Sequence, residues 1–108
     1  MSKSIMPAEI ETIILACEAG MGSSLMSVNS LKKKMKAAGV KVNIIHSPVR
    51  SIPANTKLVM VHKGLGKTAH SVVPEAVIVT FSQFLNDPAF DKVVQAFVQG
   101  IEIVSTVE

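Results

Sequence analysis

The chain of 108 residues has no tryptophan, no tyrosine and only four phenylalanines. Its core must therefore be aliphatic, and a stacking platform for nucleic-acid bases is poorly supplied. There is a single cysteine, so no internal disulfide can form, which fits a reducing compartment. Charged residues are sparse at 18% against 48% hydrophobic, which argues against disorder and for one packed domain. No apolar run approaches the ~18 residues that cross a bilayer. The opening MSKSIMPAEIE lacks the apolar core of a signal peptide. The expectation is a soluble, cytoplasmic protein with no low-complexity segment and no internal repeat.

The formal net charge is +3, and much of the basic excess sits in LKKKMK, Leu31 to Lys36. The bland reading of these lysines is a solvated helix face. The sharper one is a docking patch for an acidic partner. Nucleic acid is not expected, because no known reader motif accompanies them.

Apolar periodicity divides the chain. Thr12 to Cys17 is a short, continuously apolar run of the kind found in strands buried on both faces. From Ser23 to Ala38, Leu25, Val28, Leu31 and Met35 recur at helical spacing, with the lysines largely outside that stripe and Gly39 as the stop. Val40 to His46 reads as a second strand. SPVRSIPANTK, with two prolines, reads as a loop or a distorted turn of helix. Leu58 to His62 is a third strand, Gly64 to Pro74 holds a short helix, and Ala76 to Phe81 is a fourth strand. Asp87 and Pro88 form an N-cap and N1 pair for a last helix running to about Gly100, which buries Phe90, Val93, Val94 and Phe97. Residues 1 to about 8 read as a flexible tail, residues 9–108 as one domain, and residues 101–108 carry no pattern that assigns them. Such β-α alternation predicts a small three-layer α/β domain with a four-stranded parallel sheet flanked by helices. Ligands bind such sheets beyond the carboxyl ends of the strands, at the switch point. Cys17 stands at the carboxyl end of the first long strand.

The residues after Cys17 are chemically specific. In CEAGMGSS, Gly20 and Gly22 permit backbone torsions that let several amide N–H groups converge. The helix N-terminus that adjoins them carries about half a positive charge. Ser23 and Ser24 add hydroxyl donors. Together these make an anion nest with a sulfur in its floor, favouring thiolate and able to cradle a dianion bound to it. The alternative is a buried cysteine acting as a small hydrophobe before an ordinary tight turn. Glycines, serines and strand-end position together favour the nest.

This loop resembles the active-site loop of the enzyme IIB component of the bacterial sugar phosphotransferase system, mannitol type, where it typically reads C-D-A-G-M-G-S-S. LKKKMKAAGV, IPANTKLVMVHKGL and SQFLNDPAFDKVVQAFV resemble the family's first helix, third-strand region and last helix. The resemblance implies a four-stranded parallel sheet with flanking helices. It also implies that Cys17 carries phosphate as a thiophosphate, with Glu18, Ala19, Gly20, Met21, Gly22, Ser23 and Ser24 forming the phosphate-binding loop. The partners implied are a IIA phosphohistidine protein as donor and a membrane IIC protein. IIC would bind the sugar, a hexitol such as mannitol, and hold this chain at the inner face of the membrane. Neither metal nor cofactor is called for. The departure is Glu18 where the family usually has Asp, which keeps the charge and adds a methylene.

The family's topology is also similar to that of low-molecular-weight tyrosine phosphatases, whose loop reads C-x-x-x-x-x-R-[ST]. Here the spacing survives, but Ser23 holds the arginine position. Loss of that clamp fits a carrier that must avoid hydrolysis. A regulatory phosphate-binding module and a phosphatase-like hydrolase are the alternatives.

Other features carry less. GLGKT (Gly64 to Thr68) resembles the end of a Walker A loop, but Val61 stands where the pattern needs its first glycine. His46, His62 and His70 lie on separate elements, and with one cysteine there is no zinc pattern. Strand-end histidines are more often structural; the alternative for His62 is a place at the edge of the active site. Met21 at the loop tip and Met26 off the core stripe suit partner docking or core packing. With the lysines of the first helix, they are expected to form a docking face around Cys17.

Overall fold

The computed structural model describes residues 3–17, 23–82 and 87–106. Its strands are β1 (Ser4–Ile5), β2 (Thr12–Cys17), β3 (Asn43–Pro48), β4 (Leu58–His62), β5 (Val77–Phe81) and β6 (Ile103–Val104). Its helices are α1 (Ser23–Ala37), α2 (Gly66–Val72) and α3 (Pro88–Gln99). Single turns of 3-10 helix occupy Pro7–Glu9, Val49–Ser51 and Lys63–Leu65.

Four strands form one parallel sheet in the order β3-β2-β4-β5. Each central strand is covered on both faces, so it alternates between two cores rather than between core and water. Ile13, Leu15, Leu58 and Met60 face a core closed by Val28, Leu31 and Met35 of α1 and Phe90 and Val93 of α3. Ile14, Ala16, Val59 and Val61 face the other, closed by Val49, Ile52, Ala69 and Val73. This is the three-layer arrangement with a four-stranded parallel sheet that the alternating pattern predicts. The apolar runs are continuous because neither face meets solvent.

Helix ends reflect local chemistry. At the end of α1, Gly39 N–H donates to the Lys36 carbonyl at 3.1 Å and Val40 N–H to the Met35 carbonyl at 2.9 Å. This double bond pattern needs a left-handed residue, and Gly39 supplies it with φ of +75°. Gly100 (φ +68°) ends α3 in the same way. Helices α1 and α3 lie side by side, and Lys34 Nζ reaches the Asp91 carboxylate at 2.9 Å.

Two expectations are corrected. The second strand begins at Asn43 and runs through Pro48, not from Val40 to His46. Val40 is taken by the C-terminal motif of α1, and β3 is an edge strand, where a proline without an N–H is tolerated. Nor are residues 3–8 a tail: Ser4–Ile5 pairs antiparallel with Ile103–Val104, and Pro7 is buried in the next turn. The driving contact is apolar, since Ile5 packs on the α1 and α3 core beside Ile103.

The C-terminal segment also closes the outer edge of β5. Ser105 Oγ accepts from Ile78 N–H at 3.2 Å, and Thr106 N–H donates to the Ile78 carbonyl at 2.7 Å. Thr106 Oγ1 accepts from Thr80 N–H at 2.8 Å. Side-chain hydroxyls thus replace part of a missing strand.

Candidate functional site

The chain passes from β2 to β3 on one side and then crosses back to β4 on the other. The sheet's switch point therefore lies between β2 and β4, and ligands of such sheets bind beyond the carboxyl ends of the strands at that point. Register pairs Ala16 with Val61. One residue further on in each chain segment, Cys17 and His62 are the last residues of the two central strands. Cys17 is in register with Pro48 on one flank, and His62 with Phe81 on the other.

Helix α1 begins at Ser23, with Ser24 next, so Cys17 and this helix start are only six residues apart. Glu18, Ala19, Gly20, Met21 and Gly22 lie outside the described residues. Met26, at the start of α1, is exposed.

At the carboxyl end of the sheet the structure places groups that the sequence did not announce. Arg50, exposed, comes just after β3, and Lys63, exposed, just after β4. Two separate turns thus set cations at the carboxyl edge that holds Cys17. Asp87 is buried: its Oδ1 accepts from Ala89 N–H at 2.8 Å and caps α3, while its Oδ2 accepts from Ser82 N–H at 2.8 Å. The cap is legible in the Asp-Pro pair; the tie to Ser82 has no sequence signal.

His62 is held from two sides. Its Nδ1 accepts from Gly64 N–H at 3.2 Å, and its Nε2 lies 3.1 Å from the Ser82 carbonyl. A carbonyl can only accept, so Nε2 carries the proton and the ring is the neutral Nε2–H tautomer. The ring also meets Phe81 edge-on, with centroids 6.1 Å apart. His46 is exposed on β3 and His70 half-buried in α2, so the three histidines are not gathered.

The structure sets the α1 lysines away from the strand end that holds Cys17. Lys32, Lys33 and Lys36 lie nine to thirteen residues along α1 from Ser23, which at 1.5 Å per residue is about 14–20 Å from its start. Lys32 and Lys36 line a hollow with Glu11, Gly39, Lys41 and Asn43, at the amino ends of β2 and β3. They belong to the pole opposite Cys17. In GLGKT, Gly66 to Thr68 open α2, and Val61 is buried in β4.

A small domain with a four-stranded parallel sheet and flanking helices belongs to the α/β class whose ligands bind beyond the carboxyl ends of the strands. Residues 12–96 match the model of the family described as "PTS system, Lactose/Cellobiose specific IIB subunit". The chain belongs to that family. It is similar to the mannitol-specific EIICB component of Geobacillus stearothermophilus, with 31% identity over 86% of this chain and 20% of that protein. It is also similar to the EIICB component of Staphylococcus haemolyticus (36% identity, 79% and 17%) and the EIICBA component of Vibrio cholerae (34%, 86% and 14%), both mannitol-specific. The chain spans a fifth or less of the length of these relatives. Among the described residues no helix is long and apolar enough to cross a membrane.

Proposed function

We propose that this chain is a phosphocarrier of a sugar phosphotransferase system, with Cys17 as the phosphorylated residue. The observation that carries the reading is the position of Cys17, which ends a central strand at the switch point, six residues before α1 begins. Membership of the IIB family supports it. The Cys17 thiolate attacks the phosphorus of a phosphohistidine on a IIA partner. The P–N bond breaks as the S–P bond forms, and the imidazole leaves. Glu18, Ala19, Gly20, Met21, Gly22, Ser23 and Ser24 supply the amides and hydroxyls that take the charge of the equatorial oxygens. A sugar hydroxyl held by a membrane IIC partner then attacks the phosphorus, and Cys17 returns as thiolate. The base for that hydroxyl belongs to the membrane partner. This chemistry calls for no metal or cofactor, and it places the chain in the cytoplasm, at the inner face of the membrane.

The family's description names lactose and cellobiose, whereas the relatives are mannitol-specific. The loop motif and the mannitol-specific relatives favour mannitol or a related hexitol as the sugar. The test is phosphotransfer from a purified phosphorylated IIA protein, then mass spectrometry at neutral pH, which preserves a thiophosphate. Phosphate on Cys17 is expected. Phosphate on any other residue, or none, overturns the reading.

A further inference from the structure

We propose that His62 is a positioning residue for phosphoryl transfer: a tautomer-locked strut that fixes the turn after β4 to the chain leaving β5, on the rim beside Cys17. The proposal rests on the phosphocarrier reading and adds to it a residue that no loop motif contains.

Three strand ends meet at this rim. Cys17 and His62 end neighbouring central strands, and His62 is in register with Phe81, the last residue of β5. Beyond these ends the chain leaves the sheet ladder, and other bonds must hold it. His62 provides two of them. Nδ1 accepts from Gly64 N–H at 3.2 Å and holds the 3-10 turn Lys63–Leu65 against its own strand. Nε2–H donates to the Ser82 carbonyl at 3.1 Å and draws the exit of β5 toward β4. Ser82 is gripped from its other side, since its N–H donates to Asp87 Oδ2 at 2.8 Å. Asp87 is in turn anchored on α3 through Ala89 N–H. A continuous line of hydrogen bonds therefore runs from Gly64 through His62, Ser82 and Asp87 to the start of α3. It crosses the mouth of the sheet one strand away from Cys17. Phe81, against which the ring stands edge-on, packs on buried Phe90, so the ring plane is set from inside as well.

Both ring nitrogens are engaged by backbone groups, so His62 acts through these contacts and moves no proton. Only the neutral Nε2–H tautomer makes both bonds, because Nδ1 must keep its lone pair and Nε2 its proton. The two bonds can be separated chemically. Asparagine puts an acceptor near the position of Nδ1 but does not reach Ser82. Glutamine carries a donor out to the position of Nε2. Displacing a transfer site by an ångström costs roughly a hundredfold in rate, so the strut to Ser82 should be visible in kinetics.

The experiment measures single-turnover phosphorylation of Cys17 by a phosphorylated IIA protein, for wild type, His62→Gln, His62→Asn and His62→Phe. Ring 15N shifts of wild-type His62 are recorded alongside. The expected result is a His62→Gln rate within about threefold of wild type, and roughly tenfold or greater slowing in His62→Asn and His62→Phe. Half-saturation by the donor should stay within about twofold throughout, because the strut orients the reaction and does not bind the partner. Equal rates in all four proteins overturn the proposal, as does a loss that lies wholly in half-saturation. If the variants fail to fold, the ring shifts decide: the Nε2–H tautomer supports the strut, and a proton on Nδ1 overturns it. A wild type that takes no phosphoryl group defeats the phosphocarrier reading instead, and the positioning role falls with it.

Discussion

The Asp87 carboxylate accepts the backbone N–H of Ser82 at 2.8 Å with one oxygen and caps α3 at Ala89 with the other. One buried side chain thereby joins the exit of β5 to the entry of α3 and satisfies two donors that the sheet and helix leave open. Asp87→Ala removes both bonds and leaves two part-buried N–H groups without this partner. The expected loss is about 2–3 kcal/mol, read from a chemical denaturation midpoint at unchanged slope. Asp87→Asn keeps one acceptor oxygen and should lose about half as much. Equal losses would mean that charge, not the second bond, is what matters.

Ser23 begins α1 and stands where a phosphatase loop has its arginine. Serine donates one neutral hydrogen bond, where arginine would clamp the transferring oxygens with two charged ones. We expect poor hydrolysis of aryl phosphates by the wild-type chain and a long-lived thiophosphate on Cys17. Ser23→Arg should raise hydrolysis only slightly, because among the described residues no acid is placed for the leaving group. Robust wild-type turnover that disappears in Cys17→Ser would favour a hydrolase.

Arg50 and Lys63 are exposed at the carboxyl edge of the sheet, whereas Lys32 and Lys36 line a hollow at its amino edge. With Cys17 as the proposed phosphorylated residue, the donor is expected to approach the first pole. Arg50→Glu and Lys63→Glu should each slow association with the donor several-fold at low salt and flatten its dependence on ionic strength. Lys32→Glu and Lys36→Glu should leave the association rate unchanged. Stopped-flow transfer at two salt concentrations distinguishes the pairs, and the reverse ranking would return the docking face to α1.

Gly39 has φ of +75°, and a Cβ built there meets nothing within 4 Å. Any cost of Gly39→Ala is then backbone strain without a clash. About 1 kcal/mol of stability should be lost, with phosphotransfer unaffected. A much larger loss would point to a rearranged end of α1.

The legible part of this fold is the part whose pattern is local. β2, β4 and β5 show as unbroken apolar runs because helices cover both their faces. The ends of α1 and α3 show because glycine and an Asp-Pro pair have strong local reasons to stand there. Val40 misleads because an apolar residue after a helix looks the same whether it starts a strand or packs back on Met35. β1 and β6 leave no signal, since each has only two residues and they meet across nearly the whole chain. The lysines of α1 are legible as a face but misleading along the axis: helical periodicity gives direction around a helix, and only counting residues gives distance along it. At the candidate site the motif marks Cys17 and its loop. His62 shows only as a strand-end histidine, because its partners are backbone groups, and backbone carbonyls and amides are the same in every sequence.

Ser105 and Thr106 occupy the hydrogen-bonding groups on the outer edge of β5. A parallel sheet of four strands has two open sides, each a template on which a stray strand from another molecule can grow. Here one side is sealed by two hydroxyl-bearing residues, and the other is β3, which ends at Pro48. Resistance to aggregation in this domain is therefore lodged in its last described turn. Cutting the chain before Ser105 would remove no residue of the proposed site, yet it would uncover the β5 edge, and the shortened chain is expected to precipitate more readily.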